Sequence, residues 1–171
     1  MKKLFRGICL STLILAGCAS NKAGNSMANH ESKDAIQKQV EAVRKKMITC
    51  IAEVNAKDDA KDVNANIIII LPNNPNAKKL LSSTEFITDQ QAVELKQFKE
   101  DTMQCRGIAK EFPRPEMVAV YEYYYSKVDD VYNDLISKKI TIGVANQERQ
   151  MRLHYTINKW ADIMKAYQES S

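Results

Sequence analysis

The chain holds two histidines, His30 and His154, and these are the first residues to weigh for chemistry. His154 follows Leu153 in a stretch of helical periodicity, with no serine or cysteine beside it at motif spacing. A nucleophile and its base can still assemble across a fold, and Asp162 is the carboxylate that a hydrolase built on His154 would recruit. No Gly-rich phosphate loop, HExxH pair or EF-hand ligand set is written in the sequence,. The cysteines and histidines lack ligand spacing, so neither a metal nor another cofactor is expected, and the chain reads as non-catalytic,. Tyrosines and charged side chains offer more. Tyr121 and Tyr125 share one apolar helical stripe, whereas Tyr123 and Tyr124 fall off it. Exposed tyrosines make good contacts with protein partners and sugar rings, so Tyr123 and Tyr124 form the candidate interaction surface. The competing reading has them scattered on the surface or packed beneath the Ile67–Leu71 segment. Further on, a helical hairpin turning near residues 138–141 would place Arg149 and Arg152 opposite Asp129, Asp130 and Tyr132. Asn146 and Arg149 interrupt an otherwise apolar stripe there. The expected role is a structural polar clamp that fixes register at some cost in stability, with a ligand pocket as the rival.

Helices must position these residues. Ile36, Val40, Val43, Met47, Ile51 and Val54 recur at spacings of four and three, one apolar stripe behind a Ser32 N-cap,. Thr88-Asp89-Gln90-Gln91 is a capping box that opens a second stripe of Leu95, Phe98, Thr102, Cys105, Ala109 and Phe112,. Pro113 and Pro115 end it and permit a new helix at Glu116,. Its stripe is Val118, Tyr121, Tyr125, Val128, Tyr132 and Leu135. Thr141 caps a fourth helix with Ala145, Leu153, Ile157, Trp160, Met164 and Tyr167 inward. Lys57–Glu85 lacks a single period; the Ile67–Leu71 run followed by Pro72-Asn73-Asn74-Pro75 reads as a short extended segment or the end of another helix, with core filling favoured over a partner-binding edge strand,. The fold class is mainly α: an antiparallel bundle of about four helices, with an irregular segment between the first and second.

The N-terminus has a different composition. Lys2, Lys3 and Arg6 precede a mostly apolar run from Gly7 to Leu15, the pattern of a secretory signal peptide,. The run is far shorter than the ~20 residues a bilayer span needs. Leu15-Ala16-Gly17-Cys18 closes it and resembles the lipobox of bacterial lipoproteins. That resemblance implies cleavage after Gly17, with diacylglyceryl on the Cys18 sulfur and an acyl chain on the new amine. It implies a membrane partner, since two or three acyl chains anchor firmly where one binds reversibly. Ala19 in place of the aspartate that retains enterobacterial lipoproteins at the inner membrane implies the outer membrane, with the domain facing the periplasm. The expected organisation is therefore a signal peptide over 1–17, a lipidated cysteine and flexible tether over 18–31, and a helical bundle over 32–171.

Cleavage changes the charge balance. The full chain carries 25 cations and 21 anions; losing Lys2, Lys3 and Arg6 leaves 22 against 21. A nearly neutral domain gives no general electrostatic reason to bind nucleic acid, and none is expected as a partner. Cys9 leaves with the signal and Cys18 takes lipid, so Cys50 and Cys105 remain. In an exported protein two cysteines most simply form one disulfide; two buried thiols are the alternative. The function expected is that of an envelope interaction or assembly protein, docking to another protein or to peptidoglycan. The alternatives are a periplasmic inhibitor or immunity protein acting on a wall hydrolase or toxin, and a hydrolase with a non-local site.

Overall fold

A computed structural model of the chain describes residues 22–169, with side chains described from Asp34 onward. The signal segment 1–17, the Cys18 lipid site and Ala19 lie outside the described residues. Six helices follow one another: α1 (Lys22–Asn55), α2 (Asp58–Asn66), α3 (Ala77–Leu81), α4 (Asp89–Arg106), α5 (Pro115–Ile136) and α6 (Ile142–Glu169). A short 3-10 segment, Gly107–Glu111, continues α4 toward Pro113. No strand occurs among the described residues, and the chain is a mainly α bundle as its periodicity predicts. No described helix is long and apolar enough to cross a membrane.

The caps form where the sequence writes them. Thr88 accepts from the Gln91 amide at 3.2 Å while the Gln91 side chain accepts from the Thr88 amide at 3.0 Å. Thr141 Oγ1 accepts from the Val144 amide at 3.3 Å at the start of α6. The α5–α6 turn is closed by Lys138 at φ 56°, where the Lys138 amide donates to Leu135 O and the Lys139 amide to Asp134 O. This is the left-handed helix ending usually given to glycine. The resulting hairpin sets Tyr132 against Arg149, Tyr121 against Trp160 and Tyr123 against Tyr155.

At the start of the chain the structure departs from expectation. α1 begins at Lys22, well before Ser32, and takes in most of the stretch read as a flexible tether. The physical reason is composition: Lys22–Glu31 has no proline and one glycine, and Ala23, Met27, Ala28 and Glu31 are good helix formers,. A helix already nucleated on its packed turns propagates into such a sequence at little cost.

The core has two centres. One gathers Val54, Val63, Ile67, Ile68, Leu95, Phe98, Val131, Leu135, Ile142 and Ala145 beneath α2, α3 and the loops that join them. The other gathers Val40, Val43, Met47, Ala109, Phe112 and Met117, flanked by Tyr121, Tyr125 and Trp160. Phe112 stacks on Tyr121 at 5.1 Å and meets Trp160 at 5.1 Å. A Cys50–Cys105 disulfide ties α1 to α4, with a Cα–Cα distance of 5.7 Å across 55 residues of sequence. Closing a loop of that length restricts the unfolded chain by about 4 kcal/mol on chain-entropy grounds.

The irregular stretch resolves into α2, which Ile67 caps by donating its amide to Val63 O, a run over 68–71 that is neither helix nor strand, α3 and a loop. Ile67 and Ile68 are sealed in the core. The loop then lies on the first turn of α6: Glu85 O accepts from the Ile142 amide at 2.9 Å and Ser83 O from the Gly143 amide at 3.0 Å. A Cβ on Gly143 would sit 2.3 Å from Ser83 O, so only glycine admits the loop this closely.

Candidate functional site

The irregular run that follows α2 has backbone groups that neither a helix nor a neighbouring strand satisfies, and buried N–H and C=O groups must find partners. Side chains supply them here. Asn146 Oδ1 accepts from the Ile69 amide at 2.8 Å, and its Nδ2 donates to Ile67 O at 2.8 Å and to Ile142 O at 2.9 Å. One carboxamide thus stands in for the facing peptide group of a strand. Asn64 Oδ1 accepts from the Ile70 and Leu71 amides at 2.8 and 3.0 Å, and Arg149 Nη1 donates to Ile69 O at 2.6 Å.

The four charges of the expected clamp are not gathered into one cluster. Arg149 meets Tyr132, as the hairpin register requires, but its other bond goes to the Ile69 carbonyl. Asp129 turns instead toward α4, where Arg106 grips it through Nη1 and Nη2 at 2.7 and 2.9 Å. Asp130 pairs with Lys127 at 2.9 Å, and Arg152 lies 3.8 Å from Glu148 on its own helix. Helix phase explains the split: Tyr132 faces α6, while the Asp129 side of α5 faces α4. No pattern in the sequence marks Arg106 as the partner, because that pair crosses between helices not adjacent at the hairpin.

The tyrosines divide as well. Tyr123 is exposed and lies against Tyr155, with ring centroids 5.4 Å apart. Tyr124 is not the exposed residue expected. It turns inward, packs against the core and lines a cavity. Its phase on α5 is close enough to Val128 for neighbouring helices to enclose it. The surface pair is therefore Tyr123 and Tyr155, the second of which the apolar stripe of α6 concealed.

That cavity, of about 190 Å³, lies between α1, α4, α5 and α6. Its polar wall is Arg106, Arg149, Tyr124, Tyr125 and Tyr132, with Thr102 and Asn55 at the margin. Burial pushes the Tyr125 hydroxyl up to about 12, and burial likewise raises Tyr124 and Tyr121. These phenols stay neutral at physiological pH and add no negative charge to the cavity. The Nε atoms of Arg149 and Arg106 and Asn55 Oδ1 are buried without a hydrogen-bond partner.

A second hollow adjoins the first through Ile51 and Asn55. This groove of about 710 Å³ is lined by α1 residues from Arg44 to Asn55, by Ala56 and Leu71, and by Tyr121 and Leu153 across the gap. Arg44 is its one charged residue. Ile48 is 66% exposed on its rim and Leu153 38%. Leu153 and Ile157, expected to face inward, are both in solvent, because α1 packs on α4 and the 3-10 segment and leaves this face of α6 uncovered.

His154 and Asp162 are exposed on α6 and line none of these hollows. The arrangement on which a hydrolase reading rested is not assembled. No group of His, Cys, Asp and Glu among the described residues is placed to hold a metal ion. No protein-family model, curated protein or solved structure matches the chain.

Proposed function

We propose that this chain is a lipid-anchored docking protein of the bacterial envelope, non-catalytic, which holds a partner protein through the apolar groove between α1 and α6. The observation that carries the reading is the groove itself. Monomeric proteins rarely leave a contiguous apolar hollow open to water, and such patches mark interaction sites. Its lining offers Met47, Ile48, Ile51, Leu71 and Leu153 with Arg44 at the margin, which suits an amphipathic partner segment carrying an acidic residue,. The lipobox supplies the address. Lipid on Cys18 would fix the chain to a membrane, the outer one on the reading of Ala19, and α1 runs about 33 Å from Lys22 before the groove begins at Arg44,.

Photoreactive residues at Ile48 and at Leu153, with Met103 on the outer face of α4 as control, test this in intact cells. Docking predicts one shared protein adduct from Ile48 and Leu153, absent from Met103 and lost when Leu153→Asp is added to the Ile48 probe. Adducts to wall fragments, or the same adducts from all three positions, would sink the docking reading. The anchor is tested separately: Cys18→Ser should abolish incorporation of labelled fatty acid and release the protein from the membrane fraction.

A further inference from the structure

Arg149 and Arg106 line the same cavity but differ in how their charge is met. Arg106 is neutralised by the two-pronged bond from Asp129. Arg149 has no carboxylate within ion-pair distance among the described residues. It gives one bond to the Ile69 carbonyl and one to Tyr132, both uncharged, while its Nε is sealed from water with no acceptor. A guanidinium stays ionised at any pH a protein survives. A sheltered charge without a counter-charge is costly, and an anion that reaches it gains a strong, directional partner. The orphaned acceptor completes the pattern. Asn55 lines the same cavity, and its Oδ1 is buried and lacks a donor.

An unmet donor on a cation and an unmet acceptor on an amide ask for a ligand that has both a carboxylate and an N–H. The rest of the wall is apolar: Ile51, Ile70, Phe98 and Val128. A phosphate or sulfate would leave that surface bare. The volume of about 190 Å³ equals roughly six waters in the liquid, room for one residue and not for a longer segment,. We propose that this cavity binds the carboxyl-terminal residue of a peptide, its carboxylate on Arg149, its N–H on Asn55 Oδ1 and its apolar side chain against Ile51, Ile70 and Phe98. Arginine suits the role better than lysine, because its planar fork meets both carboxylate oxygens while Nη1 keeps its bond to Ile69. The inference does not depend on the groove being a docking surface, since Arg149, Ile70 and Phe98 line the cavity and not the groove, and the cavity can be filled by a small molecule.

Such a residue reaches the envelope from two sources, the end of a protein chain or the end of a wall stem peptide, and the probes separate them. The full chain, purified from membranes in detergent, is titrated calorimetrically with N-acetyl-L-leucine, with N-acetyl-L-leucinamide and with N-acetyl-D-alanyl-D-alanine. At least one of the acids binds within about 10 mM, and the carboxamide binds about tenfold more weakly than its acid. Tighter binding of the L-leucine acid assigns the site to protein termini, and tighter binding of the D-alanine acid assigns it to the wall. Arg149→Gln should weaken the preferred acid about tenfold or more. Because that change also breaks the Ile69 bond, Asn55→Asp is the companion variant: nearly the same shape, with an anion added to the wall of the small cavity, where it repels an entering carboxylate and competes for Arg149. It should abolish binding and leave the folded state intact. Equal binding of acid and carboxamide, undiminished binding in Asn55→Asp, or no binding by either acid would each overturn the proposal.

Discussion

The first turns and the middle of α6 are similarly apolar in sequence, yet the bundle treats them differently. Ile142, Ala145 and Asn146 are sealed, whereas Leu153 is 38% and Ile157 53% exposed. The difference lies in what covers the helix. Near the hairpin turn the 67–87 region wraps over α6, and its backbone is bonded to α6 through Asn146, Arg149 and the amides of Ile142 and Gly143. Farther along, the next available cover is α1, and α1 is tied to α4 by the Cys50–Cys105 bond and by packing on the 3-10 segment. The sealed end is held by polar bonds to an irregular segment; the open end keeps an apolar face without a partner. An amphipathic stripe states that a face should be buried and leaves open whether this chain or another molecule does the burying.

The sharpest break of the sealed end is Asn146→Leu. The substitution keeps volume and apolar character but leaves the Ile69 amide and the Ile67 carbonyl buried without partners. At ~1–3 kcal/mol for each stranded group, the loss should be about 3–5 kcal/mol in denaturant unfolding with the disulfide intact. A loss below about 1 kcal/mol would show that the Ile67–Leu71 run is held by its isoleucines alone. Next comes Gly143→Ala. Its new methyl would meet the Ser83 carbonyl at 2.3 Å, a backbone atom that cannot swing away. Overpacking of this kind costs ~1–3 kcal/mol, and amide exchange should accelerate selectively at Ile142 and Gly143 as the loop lifts.

How much of this was legible follows the same division. Three of the four stripes correctly name core positions such as Val40, Leu95 and Leu135, because periodicity and burial are linked by helix geometry alone,. Thr88 and Thr141 are legible as caps because capping is a local bond between residues three apart. Asn146 is visible as an interruption of a stripe, but its partner, the Ile67–Ile69 backbone, lies nearly eighty positions away and carries no side-chain signal. Asp129 and Arg149 illustrate the complementary failure. Hairpin register correctly sets Arg149 beside Tyr132, but pairing also depends on the angular position of each side chain around α5, and that is decided by α4. Tyr124 misleads for the same reason: a residue one step off a stripe is exposed on a two-helix surface and enclosed when a third and fourth helix close over it.

A smaller effect sharpens the contrast at the turn that begins α6. Lys138 holds φ 56°, a conformation that costs a residue with a Cβ ~1–2 kcal/mol,. Lys138→Gly removes that cost and also removes an exposed ion pair to Asp89, 2.6 Å long in the folded chain. Exposed pairs contribute little, so the net result should be a gain of about 0.5–1 kcal/mol, read as a higher melting temperature. A lower melting temperature would mean that the Asp89 contact matters to how α4 meets the turn.

The smallest expected effect on stability is the most informative about the open end. Leu153→Ser and Ile157→Ser each remove an apolar side chain that α6 presents to water. If nothing in this chain covers that face, both variants should unfold within about 0.5 kcal/mol of the parent, as exposed substitutions generally do. Leu135→Ser at the sealed end, where burial is complete, should by contrast lose several kcal/mol,. The same two exposed substitutions should then differ in crosslinking. Leu153 lines the groove and Ile157 does not, so Leu153→Ser should diminish the adduct captured from Ile48 while Ile157→Ser leaves it unchanged. A loss of 2 kcal/mol or more in Leu153→Ser would mean that α1 swings onto α6 in solution and closes the groove. The face would then be internal core, and the docking site would have to be sought at Tyr123 and Tyr155 instead.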